Sequence, residues 1–191
     1  MSRSSSPGFS RLQIALHWAV AFLVGSQLLF GESMTRSVDA AESGDPLSLT
    51  DKLLATSHYW FGISILALVA IRFVVRLTTG APAPASEQPK IVHLAATATH
   101  WLFYAMLFAF PVLGLLALYA GDPWGQIHSL AKPAFLGLIV LHLGAALYHQ
   151  LVVKDGTLRR MLVPVPRDNQ GETAASIRMR TRRGRADGGR A

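Results

Sequence analysis

The chain has 191 residues, half of them hydrophobic and only 15% charged, with a formal net charge of +7 and no cysteine. The lack of cysteine excludes disulfides, thiolate metal sites and iron–sulfur clusters. Residues 12–31, 53–71, 91–121 and 133–153 contain no Asp, Glu, Lys or Arg. Each stretch is near or above the ~20 residues that a helix needs to cross a ~30 Å hydrocarbon core, which argues against a soluble globular domain.

The predicted architecture is all-α: an integral membrane four-helix domain over residues 11–162, with helices at about 12–31, 53–76, 91–120 and 124–153. Residues 1–10 form a short N-terminus. The first helix follows Arg11. Its alternative reading is a secretory signal, with Arg3 and Arg11 ahead of an apolar run and Val38-Asp39-Ala40 as a small-residue cleavage site. That run is long for a signal and contains His17, Trp18 and Gln27, and the cleavage site lies well beyond it, so a retained helix is the better reading. The first loop, 32–52, sets Glu32, Asp39, Glu42, Asp45 and Asp51 against only Arg36 and Lys52.

The second helix ends with Arg72 and Arg76, and the linker APAPASEQP (81–89) breaks the helical pattern before the third. The third loop, around Gly121-Asp122-Pro123-Trp124, has no Lys or Arg until Lys132. After the fourth helix come Lys154, Arg159, Arg160, Arg167 and an Arg-rich run from Arg178 to Arg190. The positive-inside rule therefore places both termini and the second loop in the cytoplasm and the first and third loops outside. The tail, 163–191, reads as disordered. Its basic run fits a positive-inside segment near anionic lipid better than a nucleic-acid site, and no nucleic acid partner is expected.

Seven histidines are present: His17, His58, His93, His100, His128, His142 and His149. A histidine within a span usually faces the bundle interior and finds a partner there. An interhelical hydrogen bond is the ordinary explanation for any one of them. Their depths suggest more. With the expected topology, His17 and His142 share the inner level, and His58 and His128 share the outer level. The fourteen residues between His128 and His142 return to within about 40° of the starting direction and rise about 21 Å, which suits two stacked sites on one helix face. It does not suit a dinuclear metal site with ions ~3.5–4 Å apart.

Haem is the strongest candidate for two histidines on facing helices, because its iron takes axial imidazoles from both sides and its ring fits between helices. Without C-x-x-C-H, it must be held non-covalently. Zinc is the weaker candidate, since a histidine pair lacks a third ligand. Small residues are expected beside such rings, with Gly62, Gly137 and Gly144 in position; ordinary close helix packing explains each glycine equally well.

The chain resembles the bacterial cytochrome b561 family, which includes cytochrome b subunits of nickel–iron hydrogenases. The resemblance spans roughly residues 8–164. It rests on Arg11-Leu12-Gln13-Ile14-Ala15-Leu16-His17-Trp18, on His58 followed by Gly62-Ile63-Ser64-Ile65-Leu66, and on Arg72 and Arg76. His100, Pro111-Val112-Leu113-Gly114, His128, His142 and Lys154-Asp155-Gly156-Thr157-Leu158 complete it. The short third loop and the long, acidic first loop depart from some members.

The resemblance implies a bacterial inner-membrane, multi-pass protein with two b haems, His17 and His142 on the inner iron and His58 and His128 on the outer. His100 is then left for a propionate or bundle hydrogen bond, and Arg72 and Lys154, with Arg11 and Arg76, for propionates, a quinone headgroup or positive-inside anchoring. Packing or snorkelling better suits His149, and His93 falls near the interface. Bis-histidine haem suits electron transfer. The expected function is exchange between the ubiquinone or menaquinone pool and a periplasmic redox protein or superoxide. The chain is then an oxidoreductase of the superoxide:quinone type or an electron carrier. The alternatives are a haem-bearing anchor for a dehydrogenase and, less favoured, a non-redox histidine-lined transporter, for which the spans lack acidic partners.

Overall fold

The computed structural model describes residues 8–80, 82 and 89–164, and these are helical with no strand among them. Most of the Pro-rich linker and of the basic tail lies outside the described residues. Helix α1 (Arg11–Phe30) starts with a capping box: the Gln13 amide donates to Ser10 Oγ at 3.2 Å and the Ser10 amide donates to Gln13 Oε1 at 3.0 Å. It ends at Gly31, from which a second helix, α2 (Glu32–Ser43), departs at once. The acidic first loop is thus partly helical, which its polar composition did not announce. Gly44, at φ 77°, stops α2 in the left-handed region that glycine tolerates.

Helix α3 (Leu49–Thr79) is capped by Ser48, whose Oγ accepts from the Asp51 amide at 3.0 Å. Helix α4 (Lys90–Ala120) carries Pro111 in its interior. The fourth crossing, Trp124–Val153, is broken into α5 (Trp124–Ser129) and α6 (Ala131–Tyr148), followed by a π-helical turn at His149–Val153. Pro133 accounts for the break, because it has no N–H to donate to the carbonyl of Ser129 one turn earlier. Four helices, Arg11–Phe30, Leu49–Thr79, Lys90–Ala120 and Trp124–Val153, have the length and apolar composition to cross a bilayer.

The close neighbours are α1 with α3, α2 with α3, α3 with α4, and α4 with α5 and α6. A small central core joins Val20 and Val24 of α1, Ile65 and Val69 of α3, Tyr104 and Leu107 of α4, and Phe135 of α6. Large apolar side chains such as Phe22, Leu29 and Val140 point outward, as a lipid-facing surface requires. At the end containing His17, Gln13 Nε2 donates to Thr79 Oγ1 at 2.9 Å and to the Gly80 carbonyl at 3.2 Å, and Trp18 Nε1 donates to the Met161 carbonyl at 2.9 Å. At the other end, Gln27 Nε2 donates to the His58 carbonyl at 2.8 Å, Arg36 pairs with Asp51 at 2.8 Å, and Lys132 pairs with Glu32. Helix association in lipid rests on packing and such bonds, since lipid tails are as apolar as the core.

Below the fourth crossing the chain turns back on Asp155. Its carboxylate, with the side chain 2% exposed, accepts from Thr157 N at 2.9 Å and Thr157 Oγ1 at 2.6 Å and meets His149 Nδ1 at 2.8 Å. Burial pushes this carboxyl up, but the Thr157 and His149 hydrogen bonds outweigh it and hold it below the usual carboxylate range.

Two outcomes are expected. Val69, fully buried at the helix contact, should cost about 1–3 kcal/mol when cut to Ala, read as a lower unfolding midpoint in detergent. The Asp155 turn is stabilised above the unfolded carboxyl pKa and loses that stabilisation as pH falls through the lower folded value. Limited proteolysis near residues 154–158 should therefore accelerate only at acid pH, and D155N should be fast at neutral pH too.

Candidate functional site

The histidines fall at two levels. At one, the rings of His17 (α1) and His142 (α6) have centroids 6.4 Å apart and planes inclined at 59°. At the other, His58 (α3) and His128 (α5) have centroids 6.0 Å apart and planes at 87°. Neither pair joins closely packed helices: α1 with α6, and α3 with α5, are absent from the tight contacts that hold the bundle. Between the levels lies the apolar core of Val20, Val24, Ile65, Val69, Tyr104, Leu107 and Phe135.

His128 is held by a specific device. Its Nδ1 lies 2.9 Å from the carbonyl oxygen of Phe110 on α4. A helical carbonyl points toward residue i+4, whose side chain usually covers it; here that residue is Gly114. A Cβ on Gly114 would lie 2.9 Å from His128 Cε1 and 3.2 Å from Nδ1. The glycine makes room for the imidazole to lie on the helix and donate to its backbone. The bond fixes the proton on Nδ1 and frees Nε2 as a lone-pair donor, the arrangement usual for a metal-bound histidine. His58 packs similarly near Gly31, where a Cβ would be 3.5 Å from Nδ1, but this nitrogen is buried without a partner among the described residues.

The His17 level gathers cations. His100 on α4 is 5.7 Å from His142, centroid to centroid. Arg72 donates from Nη1 to the Gln13 carbonyl at 3.0 Å and is a charged neighbour of His17, His100 and His142. Arg76 lies over the Tyr104 ring at 5.9 Å. Phe103 meets His142 edge-on at 5.3 Å. The ion pairs among the described residues, Arg36–Asp51, Lys132–Glu32 and His149–Asp155, bring no carboxylate to these cations.

The arrangement suits a flat group bound by two imidazoles. A metal between two such imidazoles would hold their ring centres roughly 6 Å apart, the separation of each pair. At the His17 level, Arg72 and Arg76 offer charge that an anionic group such as a propionate would match. A bare metal ion fits less well, since no group of three or more His, Cys, Asp or Glu among the described residues is disposed to hold one.

The family model for prokaryotic cytochrome b561 matches residues 8–164. The chain belongs to the prokaryotic cytochrome b561 family. It is 35% identical to cytochrome b562 of Cereibacter sphaeroides over 84% of this chain and 99% of that protein. It is 32% identical to the probable superoxide oxidase CybB of Yersinia pestis, over 81% of this chain and 95% of that one. It is 30% identical to cytochrome b561 homolog 1 of Escherichia coli, over 81% and 96%. This member of the cytochrome b561 family is therefore a bacterial membrane protein of electron transfer across the bilayer, and its family implies b-type haem.

Of the residues singled out from sequence, His17, His142, His100 and Arg72 come together at one level, and His58 and His128 at the other. Lys154 is exposed, in the left-handed position that ends the π turn. His93 is exposed near the start of α4, and His149 engages Asp155. Among the glycines, a Cβ at Gly137 or Gly144 would meet nothing within 4 Å, and one at Gly62 would meet only Gln27 Nε2 at 3.6 Å. Gly114 is the one that accommodates a ring, and nothing but its place in the Pro111–Gly114 stretch marked it. Gln27, a lone amide in an apolar run, was the visible sign of the bond to the His58 carbonyl.

Gly114→Ala is expected to push His128 off Phe110. The lost bond and displaced ring should lower thermal stability by about 1–3 kcal/mol, measured as the unfolding midpoint, while Gly137→Ala should be near neutral.

Proposed function

We propose that His17 and His142 ligate one b haem and His58 and His128 a second, and that the chain passes electrons between the membrane quinone pool and a donor or acceptor in the periplasm. The observation that carries this reading is the facing of two imidazole pairs, each near 6 Å, across helix pairs that are not among the closest neighbours of the bundle. Two such groups supply a one-electron route along the bundle with no open coordination position, which disfavours oxygen binding.

The protein's own residues do the rest. The Phe110 carbonyl orients His128, and the Gln27 amide ties α1 to α3 beside His58. The apolar cluster between the levels excludes water, and Arg72, Arg76 and His100 offer positive charge and donors to propionates. The positive-inside pattern of the loops supports an orientation with both termini in the cytoplasm and the His58 level outside.

Superoxide is one candidate donor, from the relative named probable superoxide oxidase. The charge of the first loop favours a different partner. Arg36 and Lys132 are occupied by Asp51 and Glu32, while Asp39, Glu42 and Asp45 are exposed around α2. An acidic face repels an anion and steers a basic protein toward it. A haem-bearing anchor or relay for a basic periplasmic redox protein is thus the second reading.

Reduced-minus-oxidised spectra test the ligation. Purified protein should show b-type bands, with H17A or H142A removing one haem and H58A or H128A the other. H100A should keep both. Absence of the bands in the unsubstituted protein, or loss of a haem in H100A with retention in H17A, would falsify the assignment. Quinone reduction by the isolated protein with superoxide as donor would favour the enzyme. Inactivity, with salt-sensitive reduction by a basic cytochrome, would favour the relay.

A further inference from the structure

The chain does not leave the bundle where the fourth crossing ends. After the π-helical turn His149–Val153, two residues with positive φ, Lys154 at 56° and Gly156 at 73°, reverse its direction. Between them the Asp155 carboxylate gathers Thr157 N at 2.9 Å, Thr157 Oγ1 at 2.6 Å and His149 Nδ1 at 2.8 Å. A short 3₁₀ turn, Arg159–Met161, follows, with the Leu162 amide donating to the Arg159 carbonyl at 3.0 Å. Positions 155–158, 160 and 161 are half-buried, so this segment is a packed strap.

The far end of the strap reaches α1. Trp18 Nε1 donates to the Met161 carbonyl at 2.9 Å, and Trp18 stands about two turns into α1, one residue past His17. The Trp18 and His17 rings meet edge-on, with centroids 5.5 Å apart and planes at 77°. A tryptophan near a membrane surface commonly serves only as an interfacial anchor, its N–H turned to water or headgroups. Here the N–H is spent on the backbone of a segment 143 residues away in the chain.

The strap thus joins the two helices that carry one pair of facing imidazoles. From His142 the path runs seven residues down to His149, across to Asp155, through Thr157 and the 3₁₀ turn to Met161, and over to Trp18 beside His17. Helices α1 and α6 are not among the closest neighbours of the bundle, so a tie between them bears directly on how His17 and His142 face each other.

We propose that Trp18 and Asp155 are positioning residues for the His17–His142 pair, clasping α1 to the end of α6 and so setting the spacing and tilt of the two rings. Their role rests on the proposed ligation of one haem by that pair. Both residues act through the ligands. The clasp is also one-sided: the His58–His128 pair is held by other groups, the Gln27 amide and the Phe110 carbonyl. Releasing the clasp therefore loosens one level and spares the other. The geometry of axial imidazoles is one of the levers by which a protein tunes haem, and the low-spin spectrum of the ferric form reports it.

The test uses full-length, haem-loaded protein in nanodiscs, as W18F, D155N and the double variant. W18F keeps an aromatic ring but lacks the N–H, and D155N weakens the link to His149. Two readouts are taken: the low-spin EPR spectrum of the ferric protein, and the rate at which haem passes to excess apomyoglobin. Each single variant should shift one low-spin signal, the one missing from H17A, and speed release of that haem roughly three- to tenfold, as expected for one net hydrogen bond. The double variant should release it no faster than the quicker single, because both changes cut the same strap. Where W18F fails to take up haem, benzothienylalanine at position 18, which has the shape of tryptophan without its N–H, carries the same expectation. An unchanged signal and release rate in both singles would overturn the proposal. So would equal changes at both haems, the mark of general loosening, or multiplied effects in the double variant. Failure of the ligation reading shows separately, as missing b-type bands in the unsubstituted protein or two haems retained in H17A. Failure of the clasp leaves those results intact.

Discussion

An imidazole inside hydrocarbon is unfavourable unless its ring nitrogens are satisfied, and this constraint organises the bundle. The histidines that enter the two levels do not bond to one another. They face each other at a distance too long for a direct hydrogen bond, across helix pairs that are not among the closest neighbours. The bundle's main buried cluster is a waist between the levels, where Val20, Val24, Ile65, Val69, Tyr104, Leu107 and Phe135 meet. On the proposed ligation, bound haem would be as much a part of the packing as a cofactor. It would tie α1 to α6 and α3 to α5, pairs outside the closest helix contacts.

The waist follows from the same geometry. On the fourth crossing, Phe135 stands seven residues from His128 and seven from His142, so it is buried between the two levels on nearly the same face. Its ring meets Phe110, whose carbonyl holds His128. One turn of α4 thus serves two purposes: its side chain seals the centre of the bundle, and its backbone fixes a ring above it. The break at Leu130 and the glycine at 114 let both happen within that short length.

Depth was legible in the sequence because position along a span converts directly to height in the membrane. The absence of charge located the crossings, and the histidines could be matched by level before any contact was known. Rotation about each helix axis was less legible. Gly114 and Gly137 look alike in sequence, yet only the first lies under an imidazole, since that depends on how α4 turns toward α5. The helix α2 was hidden because its polar sequence forms no span; it lies beside α3, and its buried Ser33 is held by Arg36. The third imidazole at the His17 level was expected near the bundle interior, but its 5.7 Å approach to His142 rests on side-chain geometry that spacing does not give.

The two levels also differ in charge. Arg72 and Arg76 attend the His17 level, and Arg72, a charged neighbour of His17 and His142, donates to a neutral carbonyl, that of Gln13. At the His58 level the nearby cations, Arg36 and Lys132, are paired with Asp51 and Glu32. In a low-dielectric bundle, positive charge favours the site that gains an electron, more strongly than it would in water. On the proposed ligation, propionates drawn to Arg72 and Arg76 offset part of that field at the His17 level, while the His58 level depends on the hydrogen bond that its ligand makes. A strengthened Nδ1 bond makes an imidazole a better donor to iron and so stabilises the oxidised form.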